Sequence, residues 1–171
     1  MEGRGAAGGP TPNTATDTAV DVVTPAPRPL FVGSFEHTLD EKHRIVLPST
    51  YRTALAVGGY VGPLASHLGL WLREEYEGVL ARWDDGIALG LVAEQAYERF
   101  LALTFEVRPD GQGRFVVPPR ARDFAGIDRD VLVKGGRTRV ELWALDRWDG
   151  LFADDEDPDG SLRQAVRDLK L

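Results

Sequence analysis

The sequence predicts a mixed α+β fold built from two tandem copies of one unit. The first observation behind this is a repeat. Shifted by 70 positions, Phe35 falls on Phe105, Asp40 on Asp110, Arg44 on Arg114, Val46 on Val116, Pro48 on Pro118 and Arg52 on Arg122. A further drift of two positions brings Leu70-Trp71 onto Leu142-Trp143. Self-similarity at a fixed period marks duplicated architecture. The second observation is alternation: Phe31, Gly33, Phe35, His37 and Leu39 fall on one face of an extended segment, with Val32, Ser34, Glu36 and Thr38 on the other, as a half-buried strand requires. The third is proline placement. Pro48 and Pro119 stand where short helical patterns begin, and proline suits a first turn because it lacks an N–H and its φ is already helical.

Each unit then reads in the same order. In the first, a strand over 31–39 leads into the charged turn Asp40-Glu41-Lys42-His43-Arg44, and a second strand covers 45–47. A helix over 49–56 ends at Gly58-Gly59, the usual glycine stop. Strands over 60–65 and 68–72 and a helix over 73–82 complete it. The second unit has a strand over 103–108, the turn Asp110-Gly111-Gln112-Gly113-Arg114, a strand over 115–117 and a helix over 119–125. Strands over 131–134 and 139–143 and a helix over 145–152 follow. Between the units, Leu91, Ala96 (or Tyr97), Phe100 and Leu103 recur at helical spacing, which predicts a helix over 90–102 that packs the two units together. A lone hairpin is marginal in water, so two units sharing a core about a pseudo-twofold axis give a physical reason for duplication in one chain.

The expected organisation is a tail over 1–30, a first unit over 31–83, a linking helix over 84–102, a second unit over 103–152 and an acidic segment over 153–171. The tail holds five of the eleven prolines and no aromatic residue, too little apolar surface to offset the entropy of ordering it. A short helix over 162–169 follows the acidic loop.

Composition excludes several classes. There is no Cys, hence no disulfide framework and no thiolate metal site. No apolar run approaches the roughly 20 residues a spanning helix needs, and no apolar stretch follows a basic one at the N-terminus, so no membrane role is expected and the location is read as cytoplasmic. The net charge is −7, of which −3 belongs to residues 31–150. That balance opposes whole-surface attraction to nucleic acid, unless positive charge is gathered on one surface.

Catalytic readings find little support. His37, Asp40 and His43 invite a metal, but no third strong ligand lies nearby. Ser34, Ser49, Ser66 and Ser161 lack the strained turn and adjacent base of a nucleophile. Asp110-Gly111-Gln112-Gly113 lacks the strand–glycine loop–helix setting of a dinucleotide site, and there is no phosphate-loop lysine. The chain reads as a non-enzyme with no cofactor and no metal. Trp71 and Trp143 hold matching repeat positions near strand ends, which favours core packing over base stacking.

The duplicated Asp40-x-x-x-Arg44-Ile45-Val46-Leu47-Pro48 and Asp110-x-x-x-Arg114-Phe115-Val116-Val117-Pro118, with Arg52 and the closing Glu141-Leu142-Trp143, resembles the MraZ family. These are bacterial transcriptional regulators of the division and cell-wall gene cluster, related to AbrB-type swapped-hairpin proteins. The resemblance covers about residues 31–150. It implies two swapped-hairpin units forming one pseudo-twofold β-barrel with flanking helices. It also implies a ring-like homo-oligomer bound to short G-rich direct repeats in promoter DNA, associated with the nucleoid. The residues it assigns to DNA are Lys42, Arg44 and Arg114. Arginine can pair with guanine O6 and N7, whereas Lys42 and Arg52 suit phosphate, which gives affinity without sequence information. Asp40 and Asp110 take the structural role: each can bond the N–H groups of its turn and hold an arginine fork.

The chain departs from that pattern. His43 stands where the family usually has glycine, which supplies positive φ without steric cost, and Gln112 replaces a lysine in the second turn. The main alternatives are an oligomeric interaction scaffold that does not bind DNA, and an AbrB-like antitoxin-type regulator.

Overall fold

The repeat is visible in the order of elements. A computed structural model describes residues 28–151 and 160–170. The expected tail, apart from its last three residues, and the acidic loop lie outside the described residues. The first copy contributes β1 (Ser34–Thr38), β2 (Arg44–Val46), α1 (Ser49–Leu55), β3 (Gly59–Pro63), β4 (Leu68–Trp71) and α2 (Arg73–Ala88). After α3 (Glu94–Ala102), the second contributes β5 (Phe105–Val107), β6 (Arg114–Val116), α4 (Pro119–Ala125), β7 (Asp130–Gly135), β8 (Arg139–Ala144) and α5 (Leu145–Leu151). A last helix, α6, spans Ser161–Asp168.

Two pairs, β3–β4 and β7–β8, are local hairpins, but the strands that flank the charged turns do not pair with each other. A six-stranded sheet runs β1-β7-β8-β4-β3-β5, and β2 pairs with β6 in a separate two-stranded ladder. All the pairings are antiparallel. Thus β1 and β2, which flank the first turn, each pair with a strand of the second copy, and β5 and β6 pair with strands of the first. Exchanging the equivalent strands of the two copies turns the sheet order into its own reverse. The β2–β6 register obeys the same exchange: Ile45 faces Phe115 at the centre, with Arg44 opposite Val116 and Val46 opposite Arg114.

The expected barrel needs correction. Among the described residues, β1 and β5 lie at opposite edges of the large sheet and do not meet. The sheet therefore stays open, with β2 and β6, the strands that follow the two edge strands in the chain, paired in a ladder of their own. The fold class is α+β with an antiparallel sheet.

One face of the sheet carries Val61, Leu68, Leu70, Val131, Val133, Val140 and Leu142, all buried. They form one core with Ile45, Leu47, Phe115 and Val117 around the small ladder, and with Tyr51, Leu55, Ala121 and Ala125 of α1 and α4. Ile45 is fully buried and Phe115 nearly so. Each contributes about 1.5–3 kcal/mol by leaving water, and truncating Phe115 to Ala would cost about 3–5 kcal/mol.

The opposite face differs between copies. Over the first copy, Trp71, Tyr76 and Phe100 form a second cluster with Tyr60, Trp83 and Tyr97 packed against it. Helix α3 packs with α2 over the first copy, through Trp83–Phe100 and Trp83–Tyr97 ring contacts at 5.1 and 5.6 Å. Helix α2 also runs on to Ala88, past the expected end near Arg82. Trp71 and Trp143 are both buried, so they pack rather than wait for bases.

Candidate nucleic-acid interface

The two charged turns are built by one hydrogen-bond pattern. Asp40 Oδ1 accepts the backbone N–H groups of Lys42 and Arg44, both at 2.9 Å. Asp110 Oδ1 accepts those of Gln112 and Arg114, again both at 2.9 Å. Each loop is closed by backbone bonds, Asp40 N–H to Arg44 O at 3.0 Å and His43 N–H to Asp40 O at 2.8 Å. The second turn repeats them with Asp110 N–H to Arg114 O and Gly113 N–H to Asp110 O, both 2.8 Å. An aspartate that bonds its own backbone two residues on is a turn device in its own right.

The fourth turn residue must take a left-handed conformation. Gly113 does so at φ 77°, and His43 does so at φ 55°. The histidine thus keeps the geometry of the glycine it replaces, in a region that costs an L-residue roughly 1–2 kcal/mol.

Each aspartate also holds an arginine. Asp40 Oδ2 accepts from Arg44 Nε and Nη2, both at 2.7 Å, and Asp110 Oδ2 accepts from Arg114 Nε at 2.9 Å. The backbone N–H of Arg44, with its guanidinium and the N–H of Lys42, holds the Asp40 carboxyl below the ordinary carboxylate range. The matching groups of Arg114 and Gln112 do the same for Asp110. A guanidinium has five N–H donors. Asp40 occupies those on Nε and one on Nη2, so the far edge of Arg44 keeps donors for an outside acceptor.

The turns are tied across the copies. Leu47 N–H donates to Gly113 O at 2.9 Å, and Val117 N–H donates to His43 O at 3.0 Å. They therefore sit at opposite ends of the β2–β6 ladder, with Arg44 and Arg114 about 7 Å apart along it at a rise of ~3.4 Å per residue. The outward side of the ladder carries both arginines.

Lys42 is exposed at the first tip and Gln112 at the second. Arg52 is committed within the fold. Its Nε donates to Leu47 O at 2.8 Å, and its stem lies against Gly113, where a Cβ would come within 2.7 Å of it. The equivalent Arg122 has its Nη1 buried with no hydrogen-bond partner among the described residues.

A second polar group lies at the closing Glu141-Leu142-Trp143 motif. Glu141 is buried on the outer sheet face. It accepts from Lys134 at 3.0 Å, Arg139 at 2.7 Å and Trp143 Nε1 at 3.2 Å. Burial acts to raise its pKa, but those hydrogen bonds and cations outweigh it, and the carboxyl lies below its usual value. His67 lies 3.6 Å from Glu141 and stacks on Trp143 at 3.7 Å. Burial drives the imidazole pKa down to about 4, so it is neutral near pH 7 and the contact is not an ion pair. The motif marks Glu141 in the sequence, but its burial and its partners Lys134 and His67 are not legible there.

Among the described residues, no group of three or more His, Asp or Glu could hold a metal, and His37, Asp40 and His43 form no such group. No helix among them is long and apolar enough to cross a membrane.

A family model described as "MraZ protein, putative antitoxin-like" matches residues 100–168. A protein of Salinispora arenicola named transcriptional regulator MraZ is 34% identical over 141 residues, covering 80% of this chain and 97% of its own length. Its namesake in Saccharopolyspora erythraea is 34% identical over 139 residues, covering 80% and 96%. Another from Micrococcus luteus is 34% identical over 128 residues, covering 74% and 90%. These relatives span both copies of the repeat, and on that likeness the chain belongs to the MraZ family.

Proposed function

We propose that this protein is a sequence-specific DNA-binding regulator of transcription that represses cell-division and cell-wall genes. It acts in the cytoplasm, at the nucleoid, as a ring-like homo-oligomer on repeated promoter sites. Its two swapped-hairpin units span 31–83 and 103–152. The observation that carries the reading is the pair of aspartate-held arginines on the outward face of one two-stranded ribbon, at its two ends. A two-stranded ribbon fits the major groove, and an arginine held from behind presents its free edge to guanine O6 and N7. The names of the relatives support a role in transcription.

The remaining residues divide by chemistry. Lys42 meets phosphate, which sets affinity and register but carries no sequence information. Arg52, anchored at Nε, has its terminal nitrogens for the same purpose. Asp40 and Asp110 position the arginines. The aspartates neutralise much of the positive charge of Arg44 and Arg114, so one copy of the chain holds few phosphates. Repetition around a ring, met by repeated DNA sites, raises avidity through effective concentration and answers the net charge of −7.

The test is fluorescence anisotropy with a duplex of the DNA upstream of the protein's own gene and a scrambled duplex, at two salt concentrations. The reading predicts preference for the native duplex and weaker binding at high salt. Equal, weak binding to both duplexes overturns it and favours an interaction scaffold.

A further inference from the structure

The β2–β6 ladder has three residue pairs, and its two faces differ in kind. Ile45 and Phe115 point into the core. The flanking pairs, Arg44 opposite Val116 and Val46 opposite Arg114, point the other way, because side chains alternate along a strand. The outward face is therefore a twofold patch of two arginines and two valines. Val116 is 49% exposed and Val46 is partly exposed. Both copies of the repeat place valine at this spot, one of the positions that coincide under the 70-residue shift.

We infer that Val46 and Val116 are specificity-determining residues that read the C5-methyl group of thymine beside the guanine read by the arginine opposite. The inference rests on the DNA-reading function proposed above and adds its apolar half. The thymine methyl is the apolar mark that the major groove offers, and side chains recognise it by van der Waals contact. Residues directly opposite in an antiparallel pair lie about 4.5–5.5 Å apart, within reach of neighbouring base pairs. The arginine satisfies the two acceptors of guanine, and the valine covers the methyl next to it. The ladder's symmetry repeats the arrangement in reverse order at its other end.

The probe is the duplex of upstream DNA with its thymines replaced by deoxyuridine, together and then singly, which removes the methyl and nothing else. Wild-type protein loses about fourfold in affinity for each contacted methyl, the effect of one apolar carbon returned to water. Val116→Ala binds native and deoxyuridine duplexes alike at the positions it reads, and Val46→Ala does so at the others. Val116→Thr keeps a β-branched residue in the strand and serves as the folding control, with thermal melting to show that each variant is intact. Wild type that prefers native over scrambled DNA but ignores every methyl overturns the inference and leaves the DNA-reading function standing. So does a Val116→Ala variant that loses native and deoxyuridine duplexes equally. Wild type with no preference for native DNA overturns the function and the inference together.

Discussion

Residues 40–44 and 110–114 close the same loop with different residues, whereas the sheet behind them fills matching positions with different structures. His43 and Gly113 take the same left-handed conformation, and the two aspartates make the same backbone bonds. On the outer sheet face, Lys134 pairs across the strands with Glu141, and at the corresponding register the first copy has Gly62 opposite Gly69. The glycines leave room that Thr104 and the Trp71 ring occupy, and α2 and α3 pack there. The second copy instead buries a charge cluster beneath short α5. The comparison teaches where duplication is held and where it is free. A turn that must bond each copy to the other keeps its geometry, and an outer face that only packs its own helix can diverge.

The largest effect follows from the charge cluster of the second copy. His67 titrates near pH 4 when folded against an ordinary value of 6.5. Between those values the unfolded chain binds a proton that the folded chain does not, so stability falls as pH drops from 6.5 to about 4. The His67 part is about 3 kcal/mol at most. Glu141 acts in the same direction at lower pH, since its folded pKa is depressed and its stabilisation is lost as it protonates. Thermal melting from pH 7 to 4 should show the slope, and His67→Phe should flatten its upper part. A variant as pH-sensitive as wild type there would remove His67 from the account.

Glu141→Ala comes next. Breaking a buried pair costs about 3–5 kcal/mol. Lys134 and Arg139 keep partial solvent contact, so the loss should be about 2–3 kcal/mol, read by urea denaturation. A negligible loss would show that the cluster is solvated.

The turns should respond less, and in opposite senses. Gly113→Ala places a Cβ in left-handed backbone and against Arg52, and should cost about 1–2 kcal/mol. His43→Gly relieves the same strain but frees the unfolded chain, so it should stabilise by only about 0.5 kcal/mol. If His43→Gly destabilises, the imidazole has a packing role that the matching geometry does not reveal.

Much of the architecture is legible in the order of residues. The strands, the turns and α4 (Pro119–Ala125) follow from alternation, the aspartates and proline placement. That the copies supply each other's strands follows from the marginal stability of one unit, but which strands pair, β2 with β6, depends on tertiary contacts that a 70-residue offset does not encode. The same holds for the open sheet and for α3 on the first copy, where Gly62 and Gly69 matter through the space they leave. Of the site, the aspartate–arginine units are readable from spacing. The anchoring of Arg52 is not, since it depends on the missing Cβ of Gly113. Nor is the burial of Glu141, since a sequence cannot say which of its 27 acidic residues is enclosed.

The proposal stands or falls on whether both turns, with their like-held arginines, read DNA. The most direct test measures the affinity of Arg44→Ala and Arg114→Ala for the native duplex, with wild type and a scrambled duplex alongside. The account predicts that each variant loses about tenfold to hundredfold, with relaxed preference for native DNA. Loss confined to one variant, or absent from both, would contradict it.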